Sequence, residues 1–279
     1  MIDVKEIFLN AARRRVLADT PFRTVDDKRL YFGDDYKQVL IADMKKRLLY
    51  ERYKDLEFVD YGKGRTKICK ITSSSRLCYL YFTGFIDFDR PSRECVLEED
   101  AFPFQGDNGN YTQAHFDCRL GSDFYETKCE EFFHKHDQYF PAHFYKKLLI
   151  ESFELDGAIP ESNGNLFPTL EQFGIRNYEG SVYNLHFDMK QLLTHLLALA
   201  NRKQFEREPV TLNYIWFVPP RNDLEEEELN RFEKRVFDEF CAIKEAPTIK
   251  RFCLKHGITL TFKREEMPKN EFRKGERNE

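Results

Sequence analysis

Apolar positions recur at helical spacing in two early segments, residues 3–17 and 36–54. In the second, Val39, Leu40, Met44, Leu48 and Leu49 form the apolar stripe, and Lys45, Lys46, Arg47 and Arg52 take other faces. The polar stretch from Asp19 to Asp35 separates the two. Ser73-Ser74-Ser75 then opens a third helix, because a serine side chain can accept from the free N–H groups of a first turn. Leu77, Leu80 and Tyr81 give it an apolar face to about Phe82, and Gly84 closes it. Cys95 to Phe102 reads as a strand.

The pattern then changes period. Residues 114–120 and 123–129 are aromatic-rich alternating runs separated by Gly121-Ser122, which predicts a β-hairpin. Residues 130–180 are irregular apart from helices expected near 142–153 and 168–174. Residues 187–203 carry the strongest helical pattern, with Leu192, Leu193, Leu196, Leu197 and Ala200 on one face. Val210 to Val218 is an unbroken apolar run, hence a buried strand, and Pro219-Pro220 stops it. Asp223 caps a helix to about Ile243; another follows Pro247 and ends at Gly257; Ile258 to Phe262 is a short strand. The order from residue 72 is helix, strand, strand, strand, helix, strand. This predicts an α/β (α+β) chain with a mixed sheet, a hairpin on one side and helices on its faces. One domain is expected: a helical N-terminal extension over 1–70, a core over 72–218, C-terminal helices and a short strand over 221–263, and a polar tail over 267–279.

Composition narrows the classes. With 41% hydrophobic residues, 27 Phe and 14 Tyr, the 279-residue chain can fill a core without metal or disulfide staples. No apolar run approaches the span of a bilayer, and residues 1–10 lack the pattern of a secretory signal, so a cytoplasmic protein is expected. A net charge of -4 excludes a globally basic nucleic-acid coat protein, but leaves room for a local basic groove. Seven cysteines without a C-x-x-C pair read as reduced, buried thiols.

The hairpin carries the candidate chemistry. Phe124, Glu126 and Lys128 share one strand face, which puts Glu126 and Lys128 about 7 Å apart along it. If the turn pairs Leu120 with Asp123, Asp117 stands across from Glu126 on the same side. Two facing carboxylates repel unless a cation lies between them, and oxygen donors of this kind suit Mg2+ or Mn2+. Such an ion activates water and polarises a phosphoryl oxygen.

The stretch Asp117…Glu126-Thr127-Lys128 resembles the D…(D/E)-x-K signature of the PD-(D/E)xK nuclease superfamily, the fold of restriction endonucleases. Ser73 to Cys78, the trailing acids Glu130 and Glu131, and Gln191 to Ala200 are similar to an uncharacterised bacterial branch of that superfamily, and the likeness covers about half the chain. Phe116 stands where the family has its proline. The resemblance implies a restriction-endonuclease-like core, Asp117 and Glu126 as metal ligands, and Lys128 as the catalytic lysine. It implies a further acid from an earlier element, for which Glu99 is the candidate beside Glu98, and a polar residue from the following helix, Gln191 in preference to His195. The expected activity is endonuclease-like hydrolysis of nucleic acid, DNA over RNA, by a protein free of membranes that could pair as a homodimer.

Other readings of the same residues stay open. Glu126 and Lys128 could be a solvated surface ion pair, and the whole could be an inactive nuclease-fold scaffold that binds nucleic acid or protein. Cys118, Cys129, His134 and His136 could close a zinc site, although alternation turns the two cysteines to the core side. Arg13-Arg14-Arg15 could touch phosphates or be a solvated helix face. Glu225 to Glu228 reads as a solvated first turn, and the aromatic stretch from Phe132 to Tyr145 as core rather than a base-stacking platform.

Overall fold

The computed structural model describes residues 3–18, 22–26, 28, 30–55, 57–62, 64–83, 95–100, 102–136, 139–175, 185–202, 208–220 and 223–269, without the side chains of 95, 98–100 and 223–226. The chain is α+β. Helices α1 (Val4–Ala18), α2 (Asp34–Lys46), α3 (Tyr50–Tyr53) and α4 (Ser74–Thr83) precede strand β1 (Cys95–Asp100). The short strands β2 (Phe104–Gln105) and β3 (Tyr111–Thr112) lead into the hairpin β4 (His115–Leu120) and β5 (Asp123–Lys128). There follow β6 (Phe140–Pro141), α5 (Ala142–Phe153), β7 (Glu161–Ser162) and β8 (Asn165–Leu166). The chain ends with α6 (Met189–Ala200), β9 (Val210–Val218), α7 (Asp223–Glu245), α8 (Pro247–His256) and β10 (Ile258–Glu266).

The main sheet has the order β1-β4-β5-β9-β10. β1, β4 and β5 pair antiparallel, and β5, β9 and β10 pair parallel. Parallel partners need a crossover, and α6 supplies it between β5 and β9. The hairpin has the expected register, Leu120 opposite Asp123. Gly121 adopts φ +63° in the turn, a backbone region that a side chain disfavours. Packing closes the two faces of the sheet differently. On one, the Phe82 ring of α4 lies 4.7 Å from that of Tyr125. On the other, Phe187 lies 4.9 Å from Tyr214, and His195 of α6 lies 4.4 Å from Phe116.

Several expectations change. The single helix over 36–54 is two, because Leu48 turns left-handed (φ +59°) and the Leu49 N–H donates back to Met44 O. Leu48, counted on the apolar stripe, is 88% exposed. Over 168–174 there is only a 3₁₀ turn, Glu171–Phe173, ended by Gly174 at φ +78°. The last strand is longer than expected and joins the main sheet beside β9, so the C-terminal segment shares the sheet of the core. Gly84 and the tail from residue 270 lie outside the described residues. Among the described residues no helix is long and apolar enough to cross a membrane.

Candidate active site

β5 delivers Glu126 and Lys128 to one face, as its period of two requires, and α6 then covers that face. Lys128 Nζ donates to Glu126 Oε1 at 2.6 Å, and Gln191 Nε2 donates to the same oxygen at 2.8 Å. Glu126 is 3% exposed and Lys128 9%. A solvated surface pair is therefore excluded. The pair is desolvated, so each partner depends on the other for its charge. Burial raises the Glu126 carboxyl above the ordinary range, against the pull of Lys128 and Gln191. Burial works against the Lys128 ammonium, but Glu126, Glu131 and Asp117 together hold it above its usual value.

Asp117 reaches this cluster by a different route from the one read in the sequence. Backbone pairing between β4 and β5 ends at Cys118 opposite Tyr125. Beyond it, Thr127 N–H and the Thr127 hydroxyl both donate to Asp117 Oδ2 at 2.6 Å. The hydroxyl also lies 3.4 Å from Ser74 O at the start of α4. The carboxylate thus fills the gap where the strands part instead of standing as a simple cross-strand partner of Glu126. The two acids remain coupled. Burial, then the charge of Glu126, lifts Asp117 from 3.8 to about 7. Two acids close enough to oppose each other's ionisation in this way are short of positive charge.

Behind Glu126 sits His195, 2% exposed, with Nε2 at 3.7 Å from Glu126 Oε2. Its Nε2 lies 2.9 Å from His115 O, and its Nδ1 3.3 Å from the Tyr214 hydroxyl. A carbonyl can only accept, so Nε2 carries the hydrogen and Nδ1 accepts from Tyr214. Burial and the nearby Lys128 push its pKa down to about 3, so it is neutral. His195 therefore braces the site without adding charge.

α6 begins at the site. Asp188 caps it, Oδ1 accepting from Gln191 N–H at 2.9 Å. Aspartate followed three positions on by glutamine is a capping pattern that the sequence carries at the start of α6, and it places Asp188 beside Gln191. His136 Nδ1 lies 3.4 Å from Asp188 Oδ2. Gln191 Oε1 is buried without a hydrogen-bond partner, an unused oxygen beside the Glu126 carboxylate.

The remaining candidates fall outside this arrangement. Glu99 stands opposite Phe116 in the β1–β4 register, and its side chain lies outside the described residues. Cys118 and Cys129 are fully buried, as alternation requires. The zinc grouping is not assembled: among the described residues no three His, Cys, Asp or Glu side chains cluster in a way that could hold a metal. The described cysteines are free thiols. Arg13 donates to Asn10 and Arg15 pairs with Glu266, so both are engaged within the fold. Glu130 accepts from Thr72 at 2.8 Å and pairs with Lys70, tying the exit of β5 to the N-terminal segment.

Compared with known proteins, the chain matches no family model, no curated protein and no solved structure.

Proposed function

We propose that this chain is a divalent-metal-dependent phosphodiester hydrolase of the PD-(D/E)xK type, acting on nucleic acid, with DNA as substrate. The observation that carries the reading is the meeting of Asp117, Glu126, Lys128 and Gln191 where β4 and β5 part under the start of α6. The donor set fits Mg2+ or Mn2+. Two carboxylates short of positive charge and the orphaned Gln191 Oε1 are hard oxygens, and such ions keep several waters in place of further protein ligands. Asp117 and Glu126 would hold the ion, which when bound lowers the pKa of water and draws charge from a phosphoryl oxygen.

The chain's own groups do the rest. Lys128, a buried ammonium, stabilises negative charge developing on the phosphate. Gln191 keeps the Glu126 carboxylate turned toward Lys128, and Thr127 fixes Asp117 through two donors. Neutral His195, 3.7 Å from Glu126 Oε2, adds no positive charge there.

The test is cleavage of supercoiled, linear and single-stranded DNA with Mg2+, Mn2+ or chelator. Cleavage should require the metal and vanish in Glu126→Gln and Lys128→Met, with circular dichroism unchanged. If there is no cleavage and calorimetry shows no heat of Mg2+ binding, the chain is instead an inactive nuclease-fold interaction module.

A further inference from the structure

Glu126 owes its orientation to Gln191, and Gln191 stands in the first turn of α6, capped by Asp188. The hold on that first turn comes from a distant helix. His186 and Phe187, which lead into the cap, are not helical and are buried. Buried backbone N–H groups need acceptors. Both of theirs donate to one oxygen, Glu239 Oε2, at 2.8 and 3.0 Å. Glu239 lies on α7, 53 residues beyond His186, and is 0% exposed. Arg235 Nε, one turn earlier on α7, lies 3.4 Å from its Oε1.

Burying a carboxylate is unfavourable unless donors surround it, so this position is not simple core filling. Bonds from backbone N–H to a charged oxygen are about twice as strong as neutral ones. The flanking side chains are held too. His186 Nδ1 donates to Phe132 O at 2.8 Å, in the 3₁₀ turn Glu131–Phe133 that follows β5. The Phe187 ring lies 5.4 Å from that of Phe240, the neighbour of Glu239, and 4.9 Å from that of Tyr214 on β9. The entry to α6 is thus tied to α7, to the exit of β5 and to β9 immediately before Asp188.

We propose that Glu239 is a positioning residue of the site: its carboxylate fixes the backbone from which Asp188 caps α6 and Gln191 reaches Glu126. The proposal rests on the hydrolase reading and makes α7 part of the working unit. Among the described residues the polar contacts of Glu239 are with His186, Phe187 and Arg235, so it acts through the backbone and not on the reacting groups. Both N–H groups converge on one oxygen, so reach decides the hold more than charge does. Glutamine keeps an oxygen at the same reach, and the half-exposed Arg235 can swing away from its amide. Aspartate keeps the charge but withdraws it by roughly one C–C bond, about 1.5 Å.

This pair of variants gives the test. In metal-free wild-type protein, nitrogen-15 NMR should show the Gln191 side-chain amide in slow exchange with solvent, because it donates to Glu126. Glu239→Asp should speed that exchange at least about tenfold, and Glu239→Gln should leave it within about twofold. Leu229→Ala, at a buried position about 15 Å along α7, controls for lost stability alone and should leave the exchange unchanged. In single-turnover cleavage at saturating Mg2+ and DNA, Glu239→Asp should lower the rate about 100-fold, the cost of a misplacement near about 1 Å. Its dissociation constant for DNA should stay at the wild-type value, and Glu239→Gln should restore the rate. Fast amide exchange in the wild type, or unchanged exchange in Glu239→Asp, overturns the proposal. So does an equal loss in Glu239→Gln or in Leu229→Ala. If the amide responds as expected but the wild type shows no metal-dependent cleavage, the hydrolase reading fails and takes the catalytic consequence with it, while the hold of Glu239 on Gln191 is upheld.

Discussion

Replacing Asp117 with asparagine should stabilise the metal-free protein at alkaline pH, and much less in acid. The folded-state pKa of about 7 lies above the ordinary 3.8, chiefly through burial and then through the charge of Glu126. Between these values the native state keeps a proton that the unfolded chain has released. Stability therefore falls as pH rises through the window from about 4 to about 7, and the full penalty stands above it. The gap of about three pH units corresponds to an upper bound of about 4 kcal/mol. Solvent screening at the exposed edge of the residue reduces the expected effect to about 2 kcal/mol. Asparagine keeps an oxygen for the two Thr127 donors, so the substitution removes the charge and leaves those bonds. Urea unfolding in chelator, followed by the fluorescence of buried Trp216, measures the difference at pH 5 and pH 8. The expected gain is about 2 kcal/mol at pH 8 and about a third of that at pH 5. Added Mg2+ should stabilise the wild type alone and close the gap, because a ligand that binds the native state stabilises it. Equal gains at the two pH values, or a loss at pH 8, would refute the claim that Asp117 is a buried carboxylate ionised at a cost.

Three further outcomes are expected. Lys128→Met alone should destabilise by about 3–5 kcal/mol, because it strands the Glu126 charge, whereas the Glu126→Gln/Lys128→Met double variant should recover most of that loss; additive losses in chemical denaturation would contradict the pairing. Gly106→Ala would place a Cβ 2.7 Å from Phe144 O and disturb the bonds by which Asp107 holds Phe144, Lys147 and Leu148. Its cost should be about 1–3 kcal/mol, read as a lower midpoint in thermal unfolding. DNA binding measured by fluorescence anisotropy in chelator should weaken at least about tenfold between about 50 and about 200 mM salt, despite the net charge of -4, if phosphate contacts carry it; affinity indifferent to salt would count against a DNA groove.

Much of the scaffold was legible because it depends on local pattern. The alternation of residues 114–129 and the Gly121 turn predicted the hairpin and its register. The leucine spacing of α6 predicted its buried face. Helical spacing over 36–54 misled, because periodicity does not register the left-handed turn at Leu48. The parallel pairing of β10 with β9 was also hidden, since a short apolar run does not name its partner.

The candidate site divides along the same line. Sequence alone determined which side chains share a strand face, Glu126 with Lys128, because alternation is a property of the extended backbone itself. Only the tertiary structure decided that this face is covered. Gln191, 65 residues further along, closes on Glu126, Thr127 captures Asp117 where the strands part, and Asp188 brings His136 alongside. Those contacts set which groups are charged, because the cost of a charge depends on the water removed and the partners gained. Both follow from which segments meet, and local periodicity carries no record of that.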